Sequence, residues 1–194
     1  MSLASDPACA PWIPLLDSVM GGRAFGRLVA DTTDALQLGL LDREYLLTRA
    51  TAVPVDSVTP GPIVSQGRCD GAAAYNWGDP GSPPGRCKDR FVFHVRRGDL
   101  RMLAGVGQGI LLVTGDLSLE AGADFRGLVM VGGDLRLSGR SRLHGFARVG
   151  GAVKLDSTSR ILGSACWAVR SIGAVQERLR VNIPYPGWGW LALR

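Results

Sequence analysis

The sequence is poor in histidine and has no closely paired cysteines, and each shortage closes a class of function. His94 and His144 are the only histidines in 194 residues, and no Cys-x-x-Cys occurs among Cys9, Cys69, Cys87 and Cys166. Structural zinc takes nitrogen and sulfur ligands in short-spaced pairs, so no metal site is expected. No run of eighteen apolar residues is present, so no membrane-spanning helix is read in this sequence. Met1 to Pro14 lack the charged-then-apolar order of a signal peptide. A catalytic carboxylate pair, a Ser-His-Asp set and a phosphate-cradling loop are all missing. The expectation is a protein without catalytic residues and without a cofactor.

Lysine is nearly missing as well. Twenty of the twenty-two basic residues are arginine, and the net charge of +5 is uneven. Residues 1–88 hold nine acids and seven bases; residues 89–194 hold eight acids and fifteen bases. An excess of base can attract an anionic partner. Here acids are interleaved throughout, so the basic residues read as a solvated face, with protein partners and no nucleic acid expected.

What the chain does have is a repeat. Residues 109–167 divide into hexads of the form Gly-x-apolar-x-apolar-x, such as GILLVT, GDLSLE, GLVMVG and GDLRLS. The large apolar position recurs at Val113, Leu119, Phe125, Val131, Leu137, Leu143, Val149, Leu155, Ile161 and Trp167 without a gap. Within each hexad the apolar and polar residues alternate, which is strand periodicity. The corners carry Gly109, Gly115, Gly127, Gly133, Gly139, Gly145, Gly151 and Gly163, where a residue without Cβ bends the chain freely. Three short strands and three corners make one coil of eighteen residues, and coils stack at about 4.8 Å. The expected fold is therefore all-β: a right-handed, three-sided β-solenoid of about four coils. Nine unrelated hairpin strands would need the spacing to be coincidence.

Three outward faces follow from the hexad. One is apolar, with Ile110, Leu112, Leu128, Met130 and Phe146. The second is mixed, from Asp116, Ser118 and Glu120 to Asp134, Arg136, Lys154 and Asp156. The third is basic, with Arg126, Arg140, Arg142 and Arg160 beside Asp124 and His144. An apolar outer face needs a cover. Residues 24–53 read as an antiparallel meander able to supply it, so 1–55 is taken as a β-element packing on the solenoid. A partner subunit is the other candidate. Residues 56–88 are a loop rich in proline and glycine, and 89–165 form the solenoid, opening with an irregular coil one residue short. Residues 166–194 form a cap, with a short helix over the open end and a tail whose Trp188 and Trp190 pack on the solenoid. Cys69 and Cys87 flank the loop. A disulfide there suits an exported protein, and two reduced thiols would suit a cytoplasmic one.

The stretch GVGQGILLVTGDLSLEAGADFRGLVMVGGDLRLSGRSRLHGFARVGG resembles the C-terminal region of bacterial type IV pilus assembly proteins of the PilX-like kind. Those segments read GxGILxVxGDLxLxGxxxFxGLVxVxGDLxxxGxxxxxG. The resemblance spans about residues 105–165 closely, and extends more loosely to SACWAVRSI and the tail. It implies a solenoid-like domain outside the cytoplasm, behind a hydrophobic N-terminal anchoring helix. No such helix is found here, so the chain is read as shortened, as an incomplete gene product or as a divergent soluble member. The implied role is a non-catalytic structural or assembly component in pilus biogenesis, with pilus or cell-envelope proteins as partners. Two other families are similar in repeat character. Bactofilin-like scaffolds stack their solenoids end to end. Hexapeptide acyltransferases use a coil histidine, but prefer a small residue where this chain has Leu111, Leu117, Val129, Leu135 and Val153.

Overall fold

The structure, a computed structural model, describes residues 34–38, 41–81 and 85–179. Among the described residues the first regular element is a helix, where a strand was expected over 44–53. Asp42 accepts the Tyr45 N–H at 2.8 Å and caps α1 (Arg43–Arg49), which buries Leu46 and Leu47. An N-cap aspartate before a run of good helix formers outweighs the alternation that suggested a strand over 44–53. The expected strand at 25–31 and the tail at 182–193, with Trp188 and Trp190, lie outside the described residues.

Thirteen strands follow among the described residues: β1 (Thr51–Ala52), β2 (Ser57–Val58), β3 (Val64–Ser65), β4 (Arg68–Cys69), β5 (Val92–Arg96), β6 (Leu100–Met102), β7 (Val106–Val113), β8 (Leu117–Leu119), β9 (Asp124–Val131), β10 (Leu135–Leu137), β11 (Arg142–Val149), β12 (Val153–Leu155) and β13 (Arg160–Gly163). The second helix, α2 (Ala165–Val175), closes the described chain. One parallel sheet runs β1-β5-β7-β9-β11-β13 and another β12-β10-β8-β6-β2. Together they form a β-solenoid of about four turns. Each long strand bends at its central glycine to supply two sides of a turn, and each short strand supplies the third. The register steps by eighteen between later coils, with Leu119, Leu137 and Leu155 stacked. It steps by seventeen where β5 meets β7 and β6 meets β8, which is the short first repeat.

The solenoid starts earlier than residue 89. Thr51 pairs with His94 and Val58 with Met102, so β1 and β2 are the first turn. The Pro/Gly-rich segment is an insertion within that turn. Pro60 accepts the Val106 N–H at 3.0 Å, and Trp77 accepts the Gln108 N–H at 2.8 Å, so the chain leaves the coil and returns to it. Between them, β3 and β4 form an antiparallel hairpin closed by Gln66 and Gly67, both at positive φ. Asn76, fully buried, organises the insertion: its amide donates to Ile63 O at 3.0 Å and Asp70 O at 2.7 Å, and its Oδ1 accepts the Gly78 N–H.

Cys69 and Cys87 are disulfide-bonded across this insertion, with Cα atoms 5.0 Å apart and a sequence separation of eighteen. A closed loop of that size stabilises by about 3 kcal/mol in the chain-entropy account. Mild reduction should therefore lower the urea midpoint with the solenoid circular-dichroism signal retained below it. A midpoint unmoved by reductant, with both thiols shown free by alkylation, would contradict that value. Cys166 is disulfide-bonded too, which no spacing rule in the sequence announced.

Two cores result. The inner one holds the hexad column, from Leu111 through Phe125 to Leu143, with Trp77 at one end. The outer one lies on the apolar face: Ile110, Leu112, Leu128 and Met130 are buried by Leu36, Leu46 and Leu47 on one side and Val175 and Leu179 on the other, with Phe146 partly buried. The cover thus comes from this chain, from the two helices and from the turns that hold Leu36 and Leu179. Helix α2 lies along the side of the solenoid against β7, β9 and β11, and does not close its end. Burying the apolar outer face is worth more than shielding one strand edge, since each large side chain removed from water contributes ~1.5–3 kcal/mol.

Candidate functional site

Of the eight corner glycines, four have positive φ: Gly109, Gly127, Gly139 and Gly145. Gly115, Gly133 and Gly151 answer a different need. A Cβ on each would strike the carboxylate of Asp99, Asp116 and Asp134 in the turn before. Those carboxylates reach across the stack: Asp99 accepts the Asp116 N–H at 2.9 Å, Asp116 the Asp134 N–H at 2.8 Å, and Asp134 the Ala152 N–H at 2.9 Å. The repeated Gly-Asp pairs at 98–99, 115–116 and 133–134 are therefore a lock between coils, with the glycine leaving room for the aspartate above. The sequence carried the signal as a repeated dipeptide, but alternation alone placed these aspartates on an outer face. The ladder stops at Ala152, which has no carboxylate to receive a further coil.

The mixed face is a shallow groove on the five-stranded sheet, lined by Arg101, Glu120, Arg136 and Lys154. Arg101 grips Glu120 through two bonds of 3.0 Å. Arg136 lies 3.4 Å from both Asp116 and Asp134, and Lys154 lies 2.9 Å from Asp134. Such exposed pairs contribute little stability each. Hydrogen bonds from Lys154 and the Ala152 N–H hold Asp134 down at about 2, against 3.8 for a free aspartate. A depressed folded pKa means its contribution is full above about pH 4 and is lost as pH falls towards 2. Urea midpoints at pH 7 and pH 3 should therefore fall less in Asp134→Asn than in the parent. Parallel pH profiles for the two proteins would show that Asp134 carries none of the acid sensitivity.

The basic face is only partly open. Arg126 pairs with Asp124 at 3.3 Å, and its guanidinium lies 5.3 Å from the Trp167 ring of α2. Arg170 sits over the same ring at 4.7 Å, and over Phe91 at 5.3 Å. His144 is 3.8 Å from Asp124; burial, with Arg126 and Arg142 beside it, lowers its pKa against the pull of Asp124. Arg142 and Arg160 are exposed neighbours on paired strands. Arg140 belongs to the preceding turn, not to the strand face, at φ +68°. The structure thus brings three of the four expected arginines onto one side, and a helix covers one of the three.

The far end of the solenoid is open among the described residues. Strand β12 pairs only with β10, and β13 only with β11. The inward residues of this last turn, Val153 and Leu155, are 48% and 46% exposed, and Leu162 on β13 is exposed as well. Their counterparts one turn earlier, Leu135 and Leu137, are buried. An apolar strip with an unpaired strand edge is what a protein docking by strand addition requires. Among the described residues no cluster of His, Cys, Asp and Glu could hold a metal, and no helix is long and apolar enough to cross a membrane. No protein-family model, no curated protein and no solved structure matches this chain.

Proposed function

We propose that this chain is a non-catalytic structural or assembly component that works through the surface of its β-solenoid, in the setting of type IV pilus biogenesis. The observation that carries the reading is the open last turn, where half-exposed Val153 and Leu155 meet the unpaired edges of β12 and β13. A partner that adds a strand there would bury both the apolar strip and the backbone groups. The similarity of residues 105–165 to PilX-like segments supports the pilus setting. The disulfide-bonded cysteines favour a compartment outside the cytoplasm, where such bonds persist. A self-assembling, bactofilin-like scaffold is the second reading, since the same open edge could seat another copy. The ladder ending at Ala152 weighs against it, because a stacked copy would find no carboxylate for its own first N–H.

The test is genetic and structural together. Deleting the gene in the native host should reduce surface pili, and the unaltered chain should restore them. The double variant Val153→Arg, Leu155→Arg, checked for a parental thermal melt, should fail to restore them. Normal piliation in the deletion strain would overturn the pilus assignment. Full restoration by the folded double variant would overturn the open turn as the working surface. Salt-sensitive filaments of the purified protein would move the reading to the scaffold.

A further inference from the structure

The charges of the solenoid are sorted by coil. Residues 92–108 hold three bases and one acid, and residues 109–126 three acids and one base. Residues 127–144 and 145–162 each return to three bases and one acid. Where the sign changes between neighbouring coils, side chains meet across the boundary. Arg101 holds Glu120 at 3.0 Å, and Arg136 reaches back to Asp116 at 3.4 Å. Arg142 stands in register with Asp124. Opposite charges facing each other across two strands are favourable, and like charges are not.

At the last boundary base lies on base. Lys154 is in register with Arg136, and Arg160 with Arg142. Lys154 reaches back to Asp134 at 2.9 Å. Arg160 donates only to the carbonyl oxygens of Ser157 and Ser159, each at 2.8 Å, and among the described residues no carboxylate reaches Arg160 or Arg142. Asp156, the acid of this coil, accepts the N–H groups of Gly139, Thr158 and Ser159. The last turn therefore presents cations outward from the same two strands whose edges are unpaired, with Val153, Leu155 and Ile161 facing inward. The chain itself shows what a basic coil accepts as its neighbour. Coil 109–126 lies between two basic coils, with Asp124 outward and Phe125 inward at the start of β9.

We infer that the partner of the open last turn is an acidic protein segment, added as a parallel strand on β13 with a carboxylate opposite Arg160 and a large apolar side chain opposite Ile161. The inference rests on the reading of the last turn as the docking surface and adds the chemistry of its occupant. Each part of the segment answers one feature: backbone groups for the free edge, apolar residues for the inward strip, carboxylates for the stacked arginines. A second copy fits less well, because the strand it would bring, β1, is Thr51–Ala52 and carries no acid.

The experiment is calorimetry on the purified chain, disulfides intact, with three end-blocked synthetic peptides. The probe is Gly-Glu-Val-Glu-Val-Glu-Gly. In the second peptide Lys replaces each Glu, and in the third Ser replaces each Val. The expected result is saturable binding of the probe, about tenfold weaker for either comparison peptide and weakened further by salt. Arg160→Glu, a change at an exposed residue, should invert the preference between the Glu and Lys peptides. Amides of β12 and β13 should gain protection from hydrogen exchange when the probe is added, and those of β1 and β2 should not. Equal binding of the Glu and Lys peptides, or a preference that Arg160→Glu leaves unaltered, would overturn the acidic partner and leave the docking surface standing. Protection of β12 and β13 that rises with the concentration of the chain alone would overturn it in favour of a second copy. No binding of the probe at about 1 mM would overturn it too. The docking surface is then judged separately, by whether the Val153→Arg, Leu155→Arg variant restores pili.

Discussion

Leu137→Ala should cost ~2–5 kcal/mol of unfolding free energy. Leu137 is 2% exposed and stacked between Leu119 and Leu155, so its removal leaves a cavity that the flanking coils cannot close without breaking their own register. The same truncation one turn later, Leu155→Ala, should cost much less, because Leu155 is already half in water and solvent fills the space. Arg136→Ala, next to Leu137 in sequence, should cost under ~0.5 kcal/mol, because its pairs with Asp116 and Asp134 are exposed. Urea melts read at constant m-value give all three numbers. Equal losses for Leu137 and Arg136 would reject the division into inner and outer residues. Equal losses for Leu137 and Leu155 would show that the last turn is closed.

Gly127→Ala should be as damaging, for a different reason. Gly127 sits at φ +142°, a region that L side chains avoid. A Cβ there would run into the carbonyl oxygen of Gly109 on the coil above and into the Ser171 hydroxyl of α2. The backbone penalty of ~1–3 kcal/mol adds to an overpacking penalty of ~1–3 kcal/mol. The expected total of ~2–6 kcal/mol places the variant near unfolding for a chain of this size. Gly163 provides the control. It pairs in register with Gly145 at the same corner, yet has no positive φ and open space around its Cβ position. Gly163→Ala should therefore be within ~0.5 kcal/mol of the parent. If both substitutions are tolerated, the corner column does not set the approach of α2. If both are severe, the last turn is as tightly packed as the middle ones.

These two expectations mark how far local pattern reaches. The hexad alone determined the strands, the corners and the inward column. Alternation and glycine are properties of neighbouring residues, and a coil of eighteen stacks residues whose sequence spacing is constant. Leu119, Leu137 and Leu155 are legible as a stack for that reason. So is the requirement that Ile110, Leu112, Leu128 and Met130 be covered, because a strand apolar on both faces cannot stay in water.

What the tertiary structure decided is everything that depends on a pairing without a period. Thr51 meets His94 across forty-three positions, with a hairpin and a disulfide between them, so the first turn was invisible and the segment 56–88 looked like a linker. Whether Leu46 and Leu47 lay on a strand or a helix was decided by one bond, from the Tyr45 N–H to Asp42, and by the width of the face to be covered. Helix α2 was recognisable from its own spacing, but its placement along the side was not. That placement follows from the competition between a strand edge, which water can solvate, and a row of large apolar side chains, which it cannot. The aspartate ladder is of the same kind. It depends on which atom of another coil lies within three ångströms or so, a distance that hydrogen bonding demands and that no one-dimensional spacing contains.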